Sequence, residues 1–265
     1  MLKKRLVFTL LYDSGYFTLS RNFHLQRVGN LEWLQKNYDF SQISFYIDEL
    51  IILNVTRGYA KQDSFLRVLE NITKGCFVPI AAGGWVRSVD DARNLLCSGA
   101  DKIILNTAVF TKPSLLENLA INFGQQCIVA SIDFKRSLNN QYSILIESGT
   151  KTMKQSAEVL LQEIQWSAIG ECYLNSIDQD GTGQGYDLDI LSQLPKQCSV
   201  PIIMAGGAGK PSHMKKALIN KQIDAVATAN LLNFVGDGLQ ECRKFLIESQ
   251  VNLASWPSIK NTKLI

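Results

Sequence analysis

The strongest constraint on this chain is that its second half repeats its first. VPIAAGGWV (78–86) is answered by VPIIMAGGAG (200–209), and GADKIILNTAVF (99–110) by QIDAVATANLLNF (222–234). Gly83 and Gly206 stand 123 residues apart, as do Asp101 and Asp224, while Glu49 and Glu171, in IDELIIL and GECYLNS, stand 122 apart. Self-similarity at half the chain length means one block of supersecondary structure used twice about a pseudo-twofold axis.

Each half offers four short apolar runs of the kind that form strands buried on both faces. They are 5–11, 48–54, 78–82 and 102–105, then 127–132, 171–176, 200–205 and 223–228. Segments with apolar spacing near 3.6 lie between most of them, at 63–73, 89–98, 155–167 and 212–220, and read as helices. Strand–helix alternation alone fits a doubly wound sheet as well as a barrel. Four units used twice close into a (β/α)8 TIM barrel, expected here as a single domain of residues 1–265. Its half-barrels would be about 1–122 and 123–250. The tail 251–265 carries no clear role, and Trp256 reads as a packing anchor or a partner contact.

With 46% hydrophobic residues the chain can fill such a core. A formal charge of +3 is too balanced to imply nucleic acid, and no run approaches the length that spans a bilayer. MLKKRLVFTLLYDSG resembles a secretion signal, but its apolar run is short and no cleavage site follows, so it reads as the first strand. Six cysteines without CxxC spacing read as reduced core thiols of a cytoplasmic protein. With two histidines, His24 and His213, a metal site is not expected, nor is a cofactor.

A barrel of this kind carries its chemistry at the carboxyl ends of the strands. IVASIDFKR (128–136) delivers Asp133 to such an end. Gly83–Gly84 and Gly206–Gly207, after the third and seventh strands, free backbone N–H groups for an oxyanion, or else serve tight turns. Phosphate is the preferred reading because the pair recurs at one offset, although Trp85 crowds the first copy. NSIDQDGTGQGYD (175–187) places Asp178, Asp180 and Gly181 in an acidic loop, either for substrate contact or as a solvated turn. At the opposite end, Arg5, Glu49, Lys102 and Glu171 begin the first, second, fourth and sixth strands, and by charge alone read as a structural plug. The repeat offset pairs Asp133 with Leu11, so a two-carboxylate acid/base site would lack one member. Asp13 lies two residues further on, in an expected loop, and would reach the site only if that loop folds inward.

These motifs, above all GECYLNSIDQDGTGQGYD with PIIMAGGAG, GADKIILNTAVF and IVASIDFKR, resemble the cyclase subunit of imidazole glycerol phosphate synthase over essentially residues 1–250. The resemblance implies a duplicated (β/α)8 barrel that docks a glutaminase at its bottom. It also implies a phosphoribosyl substrate held by two phosphate sites, with products serving histidine and purine synthesis. Of the family's two catalytic aspartates, one matches Asp133 and the other falls at Leu11, with Asp180 the remaining acidic match. A lysine carried after the first strand is missing from YFTLS (16–20), and an acidic residue at the second strand's end is Asn54. The phosphate positions that match are Gly83, Gly84, Asn106, Thr107, Gly181, Gly206 and Gly207, beside Ala229. A phosphate-contacting serine is Asn230, and a third glycine is Trp85. The family's ammonia gate corresponds to Arg5, Glu49, Lys102 and Glu171, and its glutaminase contact to Asp101.

An intact gate under a depleted upper site resembles a divergent branch associated with surface polysaccharides. That branch implies a barrel subunit passing ammonia from a glutaminase partner to a separate enzyme that amidates a nucleotide-linked sugar, with a phosphorylated small molecule as ligand. A working cyclase (a lyase) of histidine synthesis, with Asp133 and either Asp13 or Asp180, is the alternative. A purely structural or regulatory binding barrel is the third reading.

Overall fold

Short apolar runs pair into a closed parallel barrel in the computed structural model, which describes residues 3–58, 62–229 and 237–254. The first half runs β1 (Arg5–Asp13), β2 (Tyr16–Arg21), β3 (His24–Gly29), α1 (Leu31–Asn37), α2 (Phe40–Ile43), β4 (Glu49–Asn54), α3 (Gln62–Thr73), β5 (Ile80–Gly83), α4 (Val89–Cys97), β6 (Lys102–Leu105), α5 (Thr107–Thr111) and α6 (Pro113–Phe123). The second runs β7 (Ile128–Arg136), β8 (Tyr142–Ile146), β9 (Lys151–Thr152), α7 (Ala157–Glu163), β10 (Glu171–Ser176), β11 (Ile202–Ala205), α8 (Pro211–Leu218), β12 (Ala225–Thr228) and α9 (Gly238–Glu248). Parallel pairing passes from β1 through β4, β5, β6, β7, β10, β11 and β12 and returns to β1. The eight-stranded (β/α)8 barrel expected from the repeat is therefore the architecture observed.

Period-two alternation sorts each strand into two layers. Val7, Ile51, Ala81, Ile104, Val129 and Tyr173 belong to the cluster inside the barrel. Leu6, Phe8, Leu50, Ile52, Ile103 and Leu174 pack outward against the helices. On α3 the buried residues are Phe65, Leu69 and Ile72, a stripe at helical spacing. Ser88 caps α4 by accepting from the Asp91 N–H, and Pro211 opens α8, where a missing donor costs nothing.

The repeat is visible as a bond pattern. Asp48, Asp101 and Asp224, each just before a strand, accept from the backbone N–H of Leu6, Ile80 and Ile202 on the preceding strand. Their own N–H groups donate back to the carbonyls of the same three residues. A short acidic side chain is thereby fixed at the same point of the second, fourth and eighth βα units, which explains why Asp101 and Asp224 recur at one offset.

Several expectations need correction. The third and seventh strands begin at Ile80 and Ile202, after Pro79 and Pro201, which have no N–H to give a ladder. The helix expected over 155–167 ends at Glu163, because Ile164 is extended and a 3₁₀ turn, Trp166–Ala168, follows. All six cysteines are free, but Cys97 is exposed and so is not a core thiol. Asn230 and Trp256 lie outside the described residues. No helix among the described residues is long and apolar enough to cross a membrane.

Candidate functional site

At the bottom of the barrel the four strand-start charges close into a ring. Arg5 Nη1 lies 2.6 Å from Glu49 Oε2 and 3.0 Å from Glu171 Oε1. Lys102 Nζ lies 3.0 Å from Glu49 Oε1 and 3.0 Å from Glu171 Oε1. Each cation thus bridges both anions, and signs alternate around the barrel from β1 to β4 to β6 to β10. Glu49 is 1% exposed, and its burial raises its pKa against the opposing pull of Lys102 and Arg5. Glu171 Oε2 is buried without a hydrogen-bond partner among the described residues. Asp101, beside the ring, is already engaged with the Ile80 N–H.

The upper end opens into a cavity of about 870 Å³ lined by Leu11, Asn54, Asp133, Asn175 and Asp180, with Tyr173, Ala205 and Ala227 also on its wall. Burial pushes the Asp133 carboxyl up to about 7, the Asn175 amide donates to it at 3.2 Å and opposes that rise, and the charge of Asp180 adds to it. A carboxyl with that pKa can hold or release a proton near neutrality. Leu11, on β1, presents only methyl groups to the same cavity.

Asp180 is not a free acid. It accepts from Ser20 Oγ at 2.5 Å and from the Phe23 N–H at 3.1 Å, which tie the β2–β3 hairpin to the loop after β10. Asn22 reinforces the tie by donating to the carbonyls of Ile177 and Asp178. The hairpin turns through Asn22 and Phe23, with φ of 50° and 62°, the two-residue turn whose twist suits an antiparallel pair. Arg57 donates to the Phe23 carbonyl from the far side. Burial raises the Asp180 pKa, opposed by the bonds from Ser20 and Phe23. Asp178 accepts from the Arg136 N–H. Asp13 is not in a loop that folds inward. It closes β1, pairs with Arg27 at 3.7 Å and is not among the residues lining the cavity.

Gly84, Asn106, Thr107, Gly181, Gly206, Gly207 and Ala229 all line the cavity. Gly83 does not, being packed where a Cβ would overlap Ile104. Gly84 and Gly206 need their missing side chains, since both have positive φ and a Cβ would overlap the carbonyls of Asn54 and Ser176. Trp85 keeps the left-handed backbone of a glycine, at φ 63°. Its Nε1 donates to the Thr56 carbonyl and Arg87 stacks over its ring at 4.5 Å. The indole is therefore fixed on the rim. Asn106 donates to the Ser131 carbonyl, and Thr107 Oγ1 accepts from the Glu147 N–H. Asn54 accepts from the Thr56 N–H.

Sequence reasoning missed Ser20, Phe23, Arg57, Tyr173 and Asn175. The last two were within reach, because strand parity places Tyr173 and Asn175 on the face that carries Glu171. The arrangement can hold an oxyanion at its glycine loops and offers one carboxyl of near-neutral pKa. Among the described residues no group of His, Cys, Asp and Glu is placed to hold a metal ion.

A family model described as "Histidine biosynthesis protein" matches residues 37–236. The chain is 44% identical over 263 residues to a protein of Parasynechococcus marenigrum (strain WH8102) named "Putative imidazole glycerol phosphate synthase subunit hisF2", covering 99% of this chain and 97% of that one. It is 33% identical over 275 residues to the imidazole glycerol phosphate synthase subunit HisF of Nitrosopumilus maritimus (strain SCM1), covering 96% of this chain and 99% of that one.

Proposed function

The chain belongs to the histidine biosynthesis protein family, among its HisF-type members, and from that premise we propose that it works as an ammonia-conducting subunit. In this reading a glutaminase docks at the bottom face, near Asp101. Ammonia enters past Arg5, Glu49, Lys102 and Glu171 and leaves at the upper cavity, where a separate enzyme uses it to amidate a nucleotide-linked sugar of surface polysaccharide synthesis.

The observation that carries the reading is a contrast within one barrel. In the ring each cation contacts both anions, whereas the upper site sets Asp133 against Leu11, with Asp180 bonded to the hairpin and Glu147 paired with Lys151. Conducting a small neutral molecule needs a passage that excludes water, not two carboxylates. The glycine loops support a phosphorylated ligand at the mouth. The sugar itself rests on the resemblance to the polysaccharide-associated branch.

Cyclisation in histidine synthesis is the second reading, favoured by the near-neutral pKa of Asp133. It needs a partner acid, and neither candidate is available: Asp180 is bonded to the hairpin and Asp13 to Arg27. Loss of one member of an acid/base pair costs about 10²–10⁴ in rate.

Mixing the purified chain with a HisH-type glutaminase tests the proposal. A complex and faster glutamine hydrolysis are expected. Hydrolysis unchanged by the chain would overturn it in favour of a purely structural or regulatory barrel.

A further inference from the structure

We propose that the first-half side of the cavity mouth binds a diphosphate group, of the kind a nucleoside diphosphate carries, through Arg87 and Lys112 beside the Gly84 turn. This deepens the reading of the mouth as the place where ammonia meets a nucleotide-linked acceptor, and rests on that reading for what the diphosphate is attached to.

The two halves of the duplicated barrel bring opposite charge to the mouth. Among the described residues that line the cavity, Arg21, Arg57, Arg87 and Lys112 come from the first half, and Asp133, Glu147 and Asp180 from the second. No acid lines it from the first half and no Lys or Arg from the second. Strands β4, β5 and β6 are neighbours in the barrel, and the segments that follow them deliver Arg57, Arg87 and Lys112 in turn. None of these three is ion-paired among the described residues. Like charges gathered without partners repel one another, and a concave wall focuses their field on an entering anion.

The three cations are also held in place. Arg57 Nη2 donates to the carbonyls of Phe23 at 2.8 Å and Ser148 at 3.4 Å. Arg87 lies over the Trp85 ring, 4.5 Å from its centre, and Trp85 is pinned by its own bond to the Thr56 carbonyl. Lys112 Nζ donates to the Arg87 carbonyl at 3.4 Å, which brings the ammonium to the same loop. A guanidinium stacked by its face keeps its N–H edge for an oxyanion, and an ammonium that gives one donor to a carbonyl has two left. Trp85 directly follows Gly84, so this pair of cations stands next to the turn that offers backbone N–H groups to a first phosphate. A second phosphate joined to the first is what they suit. The acids of the second half repel the group from their side, so the diphosphate lies over the first half and the linked group points toward Asp133. A cavity of about 870 Å³ has room for a nucleoside diphosphate.

The test is titration calorimetry of the full chain with UDP, UMP, uridine and inorganic pyrophosphate at low and moderate salt. UDP is expected to bind about tenfold more tightly than UMP, the weight of one charge-assisted hydrogen bond. Pyrophosphate should compete with UDP, uridine should not, and added salt should narrow the gap. Arg87 and Lys112 are exposed, so Arg87→Ala and Lys112→Ala leave the core intact. Each should reduce the advantage of UDP while leaving UMP binding nearly unchanged, and Lys112→Glu should abolish it. Equal binding of UDP and UMP, equal loss of both in the variants, failure of pyrophosphate to compete, or no binding of UDP would each overturn the site. Glutaminase stimulation is measured separately. Stimulation without a preference for UDP refutes this site alone, and the preference without stimulation refutes the conducting role alone.

Discussion

Asn175 and Asp133 stand directly opposite each other on β10 and β7, and the amide of one donates to the carboxyl of the other at 3.2 Å. That bond favours the ionised form and opposes the effect of burial. Burial dominates, and the Asp133 pKa rises from 3.8 to about 7. A raised acid binds more protons in the folded state than in the unfolded one. Its penalty is therefore absent below the unfolded value, grows as pH rises, and is complete above the folded value. Three units correspond to about 4 kcal/mol. Asp133→Asn is expected to be more stable than the wild type at about pH 8 by a few kcal/mol, with the advantage shrinking toward about pH 4. Urea unfolding at the two pH values checks this.

The ring gives a prediction of opposite sense. Lys102→Met leaves Glu49 and Glu171 with Arg5 alone, and removing one partner of a buried ion pair costs about 3–5 kcal/mol. Replacing all four charges with apolar residues should recover most of that loss, since no charge then remains desolvated. Chemical denaturation of both variants decides whether the ring is held together as these distances indicate.

The hairpin latch is part of the cavity wall, since Ser20, Phe23 and Asp180 all line it. Ser20→Ala and Asp180→Asn should each loosen β2–β3, and a hydrogen bond to a carboxylate contributes about 1.5–3 kcal/mol. Because the two residues share one bond, the double variant should lose less than the sum of the single losses. Limited proteolysis near Asn22 is the readout: cleavage should be faster in both single variants.

Trp85→Gly replaces a side chain that holds a left-handed backbone. Relief of that strain, about 1–2 kcal/mol, is set against the lost bond to the Thr56 carbonyl and the lost stacking with Arg87. A net stability change within about 1 kcal/mol is expected, together with tighter binding of ribose 5-phosphate, measured by titration calorimetry, as the rim opens beside Gly84.

The barrel was legible because Gly83 and Gly206 share a place in a half-length repeat that few architectures can produce. The ring was legible because all four charges start strands, and parity then aims them at one level. That two acids and two bases there pair with one another followed from charge balance, but which cation reaches which anion did not, since that depends on side-chain reach across the lumen. The latch was hidden for a similar reason. Asp180 and Ser20 are 160 residues apart, and nothing local in the acidic loop distinguishes a substrate contact from a bond to a distant hairpin. The hairpin itself did leave a signal: alternation in 16–29 about Asn22. Asp13 misled because a carboxylate two residues past Leu11 still lies on β1, but its partner is Arg27.

The central claim is that the passage has outlasted the cyclase. The most direct measurement is consumption of the family's phosphoribosyl substrate by the purified chain with ammonium salts as the nitrogen source, alongside the Leu11→Asp variant. The account predicts no measurable cyclisation by the wild type, because Leu11 faces the cavity where a second carboxyl is needed. Efficient cyclisation by the wild-type chain would contradict it.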